Sequence, residues 1–402
     1  MPDLLLLGLL VAALAIGWGL GRRERRTHHD SPKPSLSRDY FVGLNYLLND
    51  QQDRAIETFI AALEVNSDTI ETHVTLGNLF RQRGEADRAV KVHQNLLARP
   101  FLNADQGARV QLELSRDFLQ LGLLDRAERL LQGLIRDDTN SDIRHQAKRL
   151  LADLFEREGE WQEAINVAVP HLVRQHDDLR RAAGHWFCEL AEQERKNASL
   201  GLARKHLKQA LSIDDRCVRA NLLYAQLYHD TGQYRQAIKH LERIPLQDRA
   251  FIPTMLEPLE RNYRLMDDIE GLISHLKRLL DEAPYTSVIV LLAQTLCRHH
   301  GDDREAINLV TEQLNREPSL GGVDFLMELY QRGERNNPAL EGNASNTIQR
   351  LDLLRHHTQT LLQELPRHRC KRCGFSGDHL HWQCPRCRSW GTTRPITGIE
   401  GE

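Results

Sequence analysis

Four of the seven cysteines lie near the carboxyl end, in two Cys-x-x-Cys pairs separated by ten residues. Two such pairs can supply four thiolates that surround one zinc or iron ion as a tetrahedron. His379 and His381 lie between the pairs, but four thiols already complete the ligand set. We therefore predict one metal ion, iron or zinc, on four ligands: Cys370, Cys373, Cys384 and Cys387.

The segment around these cysteines is too short to fold by burying apolar surface alone, so metal binding must supply its folding energy. Its pattern resembles the metal-binding end of rubredoxin, with a shorter insertion between the pairs. Gly374 follows the first pair, and Arg388 stands where the second pair usually has glycine. We predict a rubredoxin-like, zinc-ribbon type metal module over residues 366–402. Seven basic residues and one acidic residue between Pro366 and Arg394 make it cationic.

The chain before this module repeats a small residue at intervals of 34 to 39 residues. The recurring positions are Ala55, Ala89, Ala127, Ala164, Ala203, Ala237, Gly271 and Ala306. A glycine lies five residues before most of them, at Gly84, Gly122, Gly159, Gly232 and Gly301, and Ala198 takes its place in the fifth repeat. A period near 34 with turn glycines is typical of helix pairs that stack, and it resembles the tetratricopeptide repeat (TPR).

We therefore predict an all-α TPR superhelical solenoid over residues 36–365. Pro253 and Pro258 are expected to interrupt one helix, because proline lacks the backbone N–H that a helix needs. Asn103 or Asp105 is expected to cap another helix. A long amphipathic helix from Thr347 to Leu365 is expected to cap the open end.

No catalytic motif stands out in the repeats, which contain no P-loop, no His-Glu-x-x-His and no Gly-x-Ser-x-Gly. We expect a protein that is not an enzyme. Solenoids of this kind bind extended segments or helices in a concave groove. The repeat register makes Asn78, Arg81 and Arg116 candidates for lining that groove.

The amino end carries an uncharged run of 17 residues, Leu4 to Leu20, followed at once by arginines. A secretory signal peptide would carry its positive charge before the run. We therefore predict an uncleaved transmembrane anchor over residues 1–21 and a basic, polar linker over 22–35. The arginines then place the amino end in the periplasm and the bulk of the chain in the cytoplasm. Reduced cysteines fit that compartment, and two disulfides would not.

One combination is more specific than any of its parts. The arginine-flanked anchor is followed by Leu36-Ser-Arg-Asp-Tyr40, Leu76-Gly-Asn-Leu-Phe-Arg81 and Asp125-Arg-Ala-Glu128, and then by the two cysteine pairs with Phe375, Trp382 and Trp390. The chain resembles, end to end, the lipopolysaccharide assembly protein B (LapB, YciM) family of Gram-negative bacteria.

The resemblance implies a single-pass inner-membrane adaptor that regulates lipopolysaccharide biosynthesis. It implies that the protein promotes degradation of the lipid A pathway deacetylase by the membrane-bound AAA+ protease FtsH. It also implies a link to a membrane regulator that senses lipopolysaccharide and to lipopolysaccharide assembly enzymes. The four cysteines match the family's metal ligands one by one.

Two other functions stay open on the residues alone. A basic zinc ribbon can bind nucleic acid, although a net charge of −3 on the whole chain and a membrane anchor argue against this role. A rubredoxin-like iron can transfer electrons, which requires a redox-active metal and a redox partner.

Overall fold

In a computed structural model of the chain, the structure describes residues 70–100, 102–137, 140–300, 303–335 and 344–396, with a few isolated positions besides. The predicted anchor and linker, together with Ala55 and Gly301, lie outside the described residues. Within the described ranges, no helix is both long and apolar enough to cross a membrane. The chain divides into two compact units, residues 1–127 and 128–402, and each is considered by itself.

The described residues of the first unit form three complete helices and the start of a fourth. They are α1 (Ile70–Gln82), α2 (Ala86–Leu97), α3 (Ala104–Gln120) and α4 (Leu124–Arg136). Asn103 caps α3, as predicted, in a reciprocal capping box with Gln106. Ile70, Leu96 and Val110 form part of its core.

The second unit continues the helix pairs and ends in a small sheet. Its helices are α5 (Ser141–Glu158), α6 (Trp161–Ala168), α7 (Asp177–Lys196), α8 (Leu200–Ile213), α9 (Val218–Asp230), α10 (Tyr234–Leu241), α11 (Ile244–Gln247), α12 (Ile252–Leu265), α13 (Ile269–Glu282), α14 (Thr286–His300), α15 (Asp303–Arg316), α16 (Leu320–Arg335) and α17 (Ala344–Glu364). A single 3₁₀ turn, Arg249–Phe251, connects α11 and α12. The helical part of the predicted fold is confirmed.

Four of the predicted turn glycines lie in the described residues, and all four make left-handed turns. Gly84, Gly122, Gly159 and Gly232 all have φ between 72° and 85°. Ala198 adopts φ of 58° at the equivalent place, so an alanine accepts a conformation that favours glycine. The small residues that follow are fully buried at Ala89, Ala127, Ala164, Ala203, Ala237 and Ala306.

The seventh repeat corrects one predicted position. Asp267 holds the left-handed turn with φ of 55°, and the next amide, Asp268 N, bonds to Tyr263 O at 3.1 Å. In the five other repeats whose turns the structure describes, the small residue lies four positions after the equivalent amide. The equivalent residue is therefore Leu272, which is fully buried, and not Gly271. The sequence pattern misplaced this position by one residue because an aspartate, and not a glycine, makes the turn.

The predicted interruption by two prolines is also wrong. Pro253 lies at the beginning of α12, where the missing N–H costs nothing, and Pro258 lies inside a continuous helix. Met255 and Leu259 are fully buried, so packing of this face outweighs the lost hydrogen bond. Asn262 Nδ2 donates to the Pro258 carbonyl at 2.7 Å.

The last helix and the sheet complete the second unit. Helix α17 packs on α16, where Arg355 pairs with Glu328 at 2.5 Å. The sheet has three short antiparallel strands in the order β2-β1-β3. Their bounds are β1 (His368–Cys370), β2 (Ser376–Gly377) and β3 (Thr393–Pro395).

Candidate metal centre and its docking surface

The two cysteine pairs form loops with the same hydrogen-bond pattern. The first cysteine of each pair accepts a backbone bond from the residue four positions on, at 3.0 Å from Gly374 to Cys370 and 2.8 Å from Arg388 to Cys384. Gly374 and Arg388 both adopt left-handed backbone, with φ of 74° and 55°. Arg388 therefore takes the conformation that glycine usually provides, so its presence leaves the loop geometry intact.

These loops bring the four predicted cysteines together. Their sulfur atoms all lie within 4.8 Å of one another. The sulfur atoms of Cys370 and Cys387 are 3.7 Å apart, and those of Cys373 and Cys384 are 3.6 Å apart. A tetrahedron with metal–sulfur bonds of about 2.3 Å has sulfur–sulfur edges of about 3.8 Å. The donor set thus fits one metal ion, and His381 instead packs edge-on against Phe375.

Hydrogen bonds prepare two of the thiols for ionisation. Burial acts to raise the pKa of Cys370, but the Thr392 hydroxyl, 3.3 Å from its sulfur, and backbone N–H groups outweigh this and lower the pKa to about 6. Burial opposes ionisation of Cys387 as well, and the hydroxyl and N–H of Ser389 lower its pKa. Burial raises the pKa of Cys384 to about 12. Thiolates are the metal-binding form, so binding releases the remaining protons.

The metal module is docked on the helices through one carboxylate. Glu156, on α5, accepts bonds at Oε2 from Trp390 Nε1 at 2.7 Å and from Trp186 Nε1 at 2.8 Å. Its other oxygen accepts from Gln383 Nε2 at 2.7 Å and lies 3.5 Å from Arg388 Nη2. Burial raises the pKa of Glu156, against the lowering effect of the two indole N–H groups. One carboxylate therefore joins the module to two helices.

Aromatic stacking covers the rest of this contact. The His185 ring stacks on Trp390 with centroids 5.0 Å apart and lies 5.8 Å from Trp382. Trp382 stacks in turn on Phe251 at 5.5 Å, and Trp161 meets Trp390 edge-on. Burial, with smaller contributions from nearby arginines, lowers the pKa of His185 to about 3. The imidazole is thus neutral and acts as an apolar ring.

An ion pair closes the far side of the docking surface. Arg394, on β3, pairs with Asp248 and lies over the Phe251 ring, 5.5 Å from its centroid. Leu380 and Trp382 pack against the helical core cluster of the second unit. Two of the basic residues that make the module cationic, Arg388 and Arg394, therefore point into the docking surface.

The predicted groove residues lie together in the first unit. Arg81 donates to Asn78 Oδ1 and Glu113 Oε2, both at 2.6 Å, and to Asp117 Oδ1 at 2.7 Å. Arg116 donates to Glu113 Oε1 at 2.5 Å. The Arg81 side chain is only 15% exposed, so it holds α1 and α3 together. A role of Asn78, Arg81 and Arg116 towards a partner stays a prediction.

Glu156 and His185 did not stand out in the sequence. Both lie on helices at ordinary apolar-face spacing, and nothing in their neighbours distinguishes them from other charged or polar residues. The only related signal was in the partners, since Trp382 and Trp390 flank the second cysteine pair.

Comparison with known proteins supports both parts of the chain. Family models described as tetratricopeptide repeat match residues 72–104, 112–169 and 196–253, and one described as rubredoxin metal binding domain matches 368–395. Lipopolysaccharide assembly protein B of Escherichia coli (strain K12) is 34% identical over 401 residues, covering 100% of both chains. The chain belongs to the lipopolysaccharide assembly protein B family.

A second member of the lipopolysaccharide assembly protein B family, from Haemophilus influenzae, is 32% identical over 410 residues and also covers 100% of both chains. Among solved structures, a tetratricopeptide repeat protein from Parabacteroides merdae is 15% identical over 65% of this chain and 99% of its own, with a TM-score of 0.34. Because this structural similarity is low, the assignment of the repeats rests on the family models and on the helix pairs. The predicted resemblance is confirmed, and so is the predicted fold class of a helical TPR solenoid with a small four-cysteine metal module.

Proposed function

We propose that this chain is a non-catalytic adaptor of lipopolysaccharide assembly whose helical array works only with the metal module docked on it. The name of the relatives, lipopolysaccharide assembly protein B, supports a role in lipopolysaccharide assembly. The stacked helix pairs support an adaptor, because TPR arrays bind partners through extended surfaces. The observation that carries the docking requirement is the Glu156 carboxylate, which accepts hydrogen bonds from both the array and the module.

The residues suggest how metal binding reaches the helices. An ion bound by Cys370, Cys373, Cys384 and Cys387 would supply the folding energy that so small a module lacks. The folded loops then present Gln383 and Trp390 to Glu156 and Trp382 to Phe251. Docking covers His185 and fixes the relation of α5, α7 and the 3₁₀ turn. Without a folded module these groups face water and lose their partners.

We propose further that the amino end anchors the chain in the inner membrane with the array in the cytoplasm. By the family resemblance, the array brings the lipid A pathway deacetylase to FtsH, and a lipopolysaccharide-sensing membrane regulator controls this step. The near-neutral net charge of −3 supports a protein partner over a nucleic acid. Zinc and iron should serve equally, because a folding role needs four fixed thiolates and no electron transfer.

The test is Cys373→Ser in the full-length chain, with Cys297→Ser, a buried thiol outside the module, as the matched control. We expect Cys373→Ser to lose its one metal ion per chain by elemental analysis while its helical circular dichroism persists. Cells that carry it should degrade the deacetylase slowly and overproduce lipopolysaccharide. Normal deacetylase turnover in a variant shown to hold no metal would contradict the proposal. Activity with iron but none with zinc would show a redox role instead.

A further inference from the structure

A polar cavity of about 280 Å³ lies between the metal module and the helices. Helix α7, the α8–α9 connection and the 3₁₀ turn form one side, and Trp382, Gly391 and Arg394 of the module form the other. Four arginines and three aspartates line it: Arg180, Arg181, Arg216, Arg394, Asp177, Asp214 and Asp248. No motif in the sequence marks this place, because its walls come from three distant parts of the chain.

Three residues that line the cavity each carry a buried polar atom with no hydrogen-bond partner among the described residues. These atoms are His185 Nδ1, Gln247 Oε1 and Arg394 Nε. The orientation of Gln247 is fixed, because its Nε2 donates to the Asp215 carbonyl at 2.6 Å and thereby leaves Oε1 unpaired. The His185 residue is only 3% exposed. Buried polar atoms are nearly always paired, so three unpaired ones in residues around one cavity favour a polar occupant.

The charges on the walls indicate the sign of that occupant. Arg394 and Arg181 lie on opposite walls, and the pKa of the Arg394 guanidinium is lowered by burial and then by the positive charge of Arg181. Asp248 and Asp177 are engaged with Arg394 and Arg180. Burial raises the pKa of Asp214, while the Arg216 amide and the charges of Arg180 and Arg181 oppose this. The four guanidinium groups on the walls thus outnumber the three carboxylates. Two guanidinium groups that face one cavity are stabilised by an anion between them.

We infer that this cavity is a binding site for a phosphate group, held between Arg181 of the array and Arg394 of the module. A tetrahedral dianion suits the site better than a planar carboxylate, because its oxygens point in several directions and can meet donors from both walls. The hydroxyl of hydrogen phosphate, or a hydroxyl on the organic part of a phosphate ester, can donate to Gln247 Oε1. The ligand would touch array and module at once, so its binding would strengthen docking. The inference does not depend on the proposed function.

The test uses the metal-loaded full-length protein and three probes. They are inorganic phosphate, glycerol 1-phosphate, and phosphatidylcholine vesicles with and without phosphatidic acid, which distinguish a free ion, a soluble ester and a lipid headgroup. Calorimetry, or vesicle flotation for the lipid, measures binding. We expect at least one probe to bind once per chain with a dissociation constant of about 1 mM or tighter. Acetate should bind much more weakly.

Arg181→Gln is the decisive variant, because Arg181 is exposed and its loss leaves the docking contacts of Glu156 in place. It should weaken binding about tenfold or more. Arg235→Gln makes the same charge change at an exposed residue of α10, outside the cavity, and should bind as the wild type does. Bound phosphate should also slow hydrogen exchange in residues 391–396 of the wild type and not of Arg181→Gln. Absence of binding by all three probes, or equal binding by Arg181→Gln, would overturn the inference.

Discussion

Glu156 and Trp390 are 234 residues apart in sequence, yet the indole N–H of Trp390 donates to the Glu156 carboxylate at 2.7 Å. The same carboxylate oxygen accepts from Trp186, on the neighbouring helix α7. The contact therefore does more than hold the metal module in place. It ties the module to the packing between two helices of the array, so the two parts stabilise each other.

The first prediction concerns this carboxylate. Glu156→Leu should leave the indole N–H groups of Trp186 and Trp390 without acceptors, and each unpaired buried donor costs about 1–3 kcal/mol. We expect the module to separate from the helices, which hydrogen exchange over residues 368–396 would report as a loss of protection. Glu160→Gln, on an exposed carboxylate that makes no cap bond, is the control. Unchanged protection in Glu156→Leu would show that aromatic stacking alone is sufficient.

The second prediction concerns pH. Burial lowers the pKa of His185 from its ordinary 6.5 to about 3. As the pH falls below about 6.5, the His185 side chain of the unfolded or undocked chain therefore takes up a proton, and that of the docked chain does not. The contribution of His185 to stability is complete above that pH and is lost progressively towards pH 3. We expect the melting temperature of the wild type to fall more steeply between about pH 7 and pH 5 than that of His185→Phe.

Comparing the wild type with His185→Phe cancels the effects of other titrating groups on the pH profile, because the cysteines and Glu156 are present in both proteins. Glu156 acts in the opposite direction, since its raised pKa favours the folded state at low pH. Phenylalanine keeps a flat ring between Trp382 and Trp390 and gives up no bond at Nδ1, which has no partner among the described residues. Parallel pH profiles for the two proteins would contradict the prediction.

The third prediction concerns the column of small residues. Ala89→Leu should overpack a fully buried contact and reduce the free energy of unfolding by about 1–3 kcal/mol. At the seventh repeat the native residue is Leu272, so the corresponding test replaces a large side chain with a small one. Leu272→Ala should leave a cavity and cost about 2–5 kcal/mol.

Urea unfolding of both variants measures these costs. Arg88→Ala is the control for the first, because Arg88 makes a half-exposed ion pair with Glu85 next to Ala89. Gly271→Ala is the control for the second, and it should disturb only the Asp268 side chain that caps α13. If Gly271→Ala cost more than Leu272→Ala, the corrected repeat register would be wrong.

The helix pairs and the cysteine cluster were predictable because their signals are local. A glycine before each turn and two Cys-x-x-Cys pairs each report a conformation within a few residues. Leu272 was missed because Asp267 makes its turn without glycine. Pro258 was misread because the burial of Met255 and Leu259, which holds its helix together, is a tertiary effect.

Glu156, His185 and the phosphate cavity could not be predicted for a different reason. Each acquires its role only when distant parts of the chain meet. The sequence around a glutamate or a histidine on a helix does not indicate which distant residue its side chain will contact. Only the two tryptophans beside the second cysteine pair hinted that this module has a surface to cover.

The long separation between Glu156 and Trp390 also sets an order of folding. Helix pairs form through contacts between neighbours, whereas docking joins residues 234 positions apart and needs the array and the module to be folded already. A nascent or truncated chain that lacks Trp382 and Trp390 therefore carries finished repeats with His185 and Phe251 uncovered. Exposed apolar surface of this kind is what chaperones and proteases engage. Completion of the docked module thus distinguishes a finished molecule from a fragment.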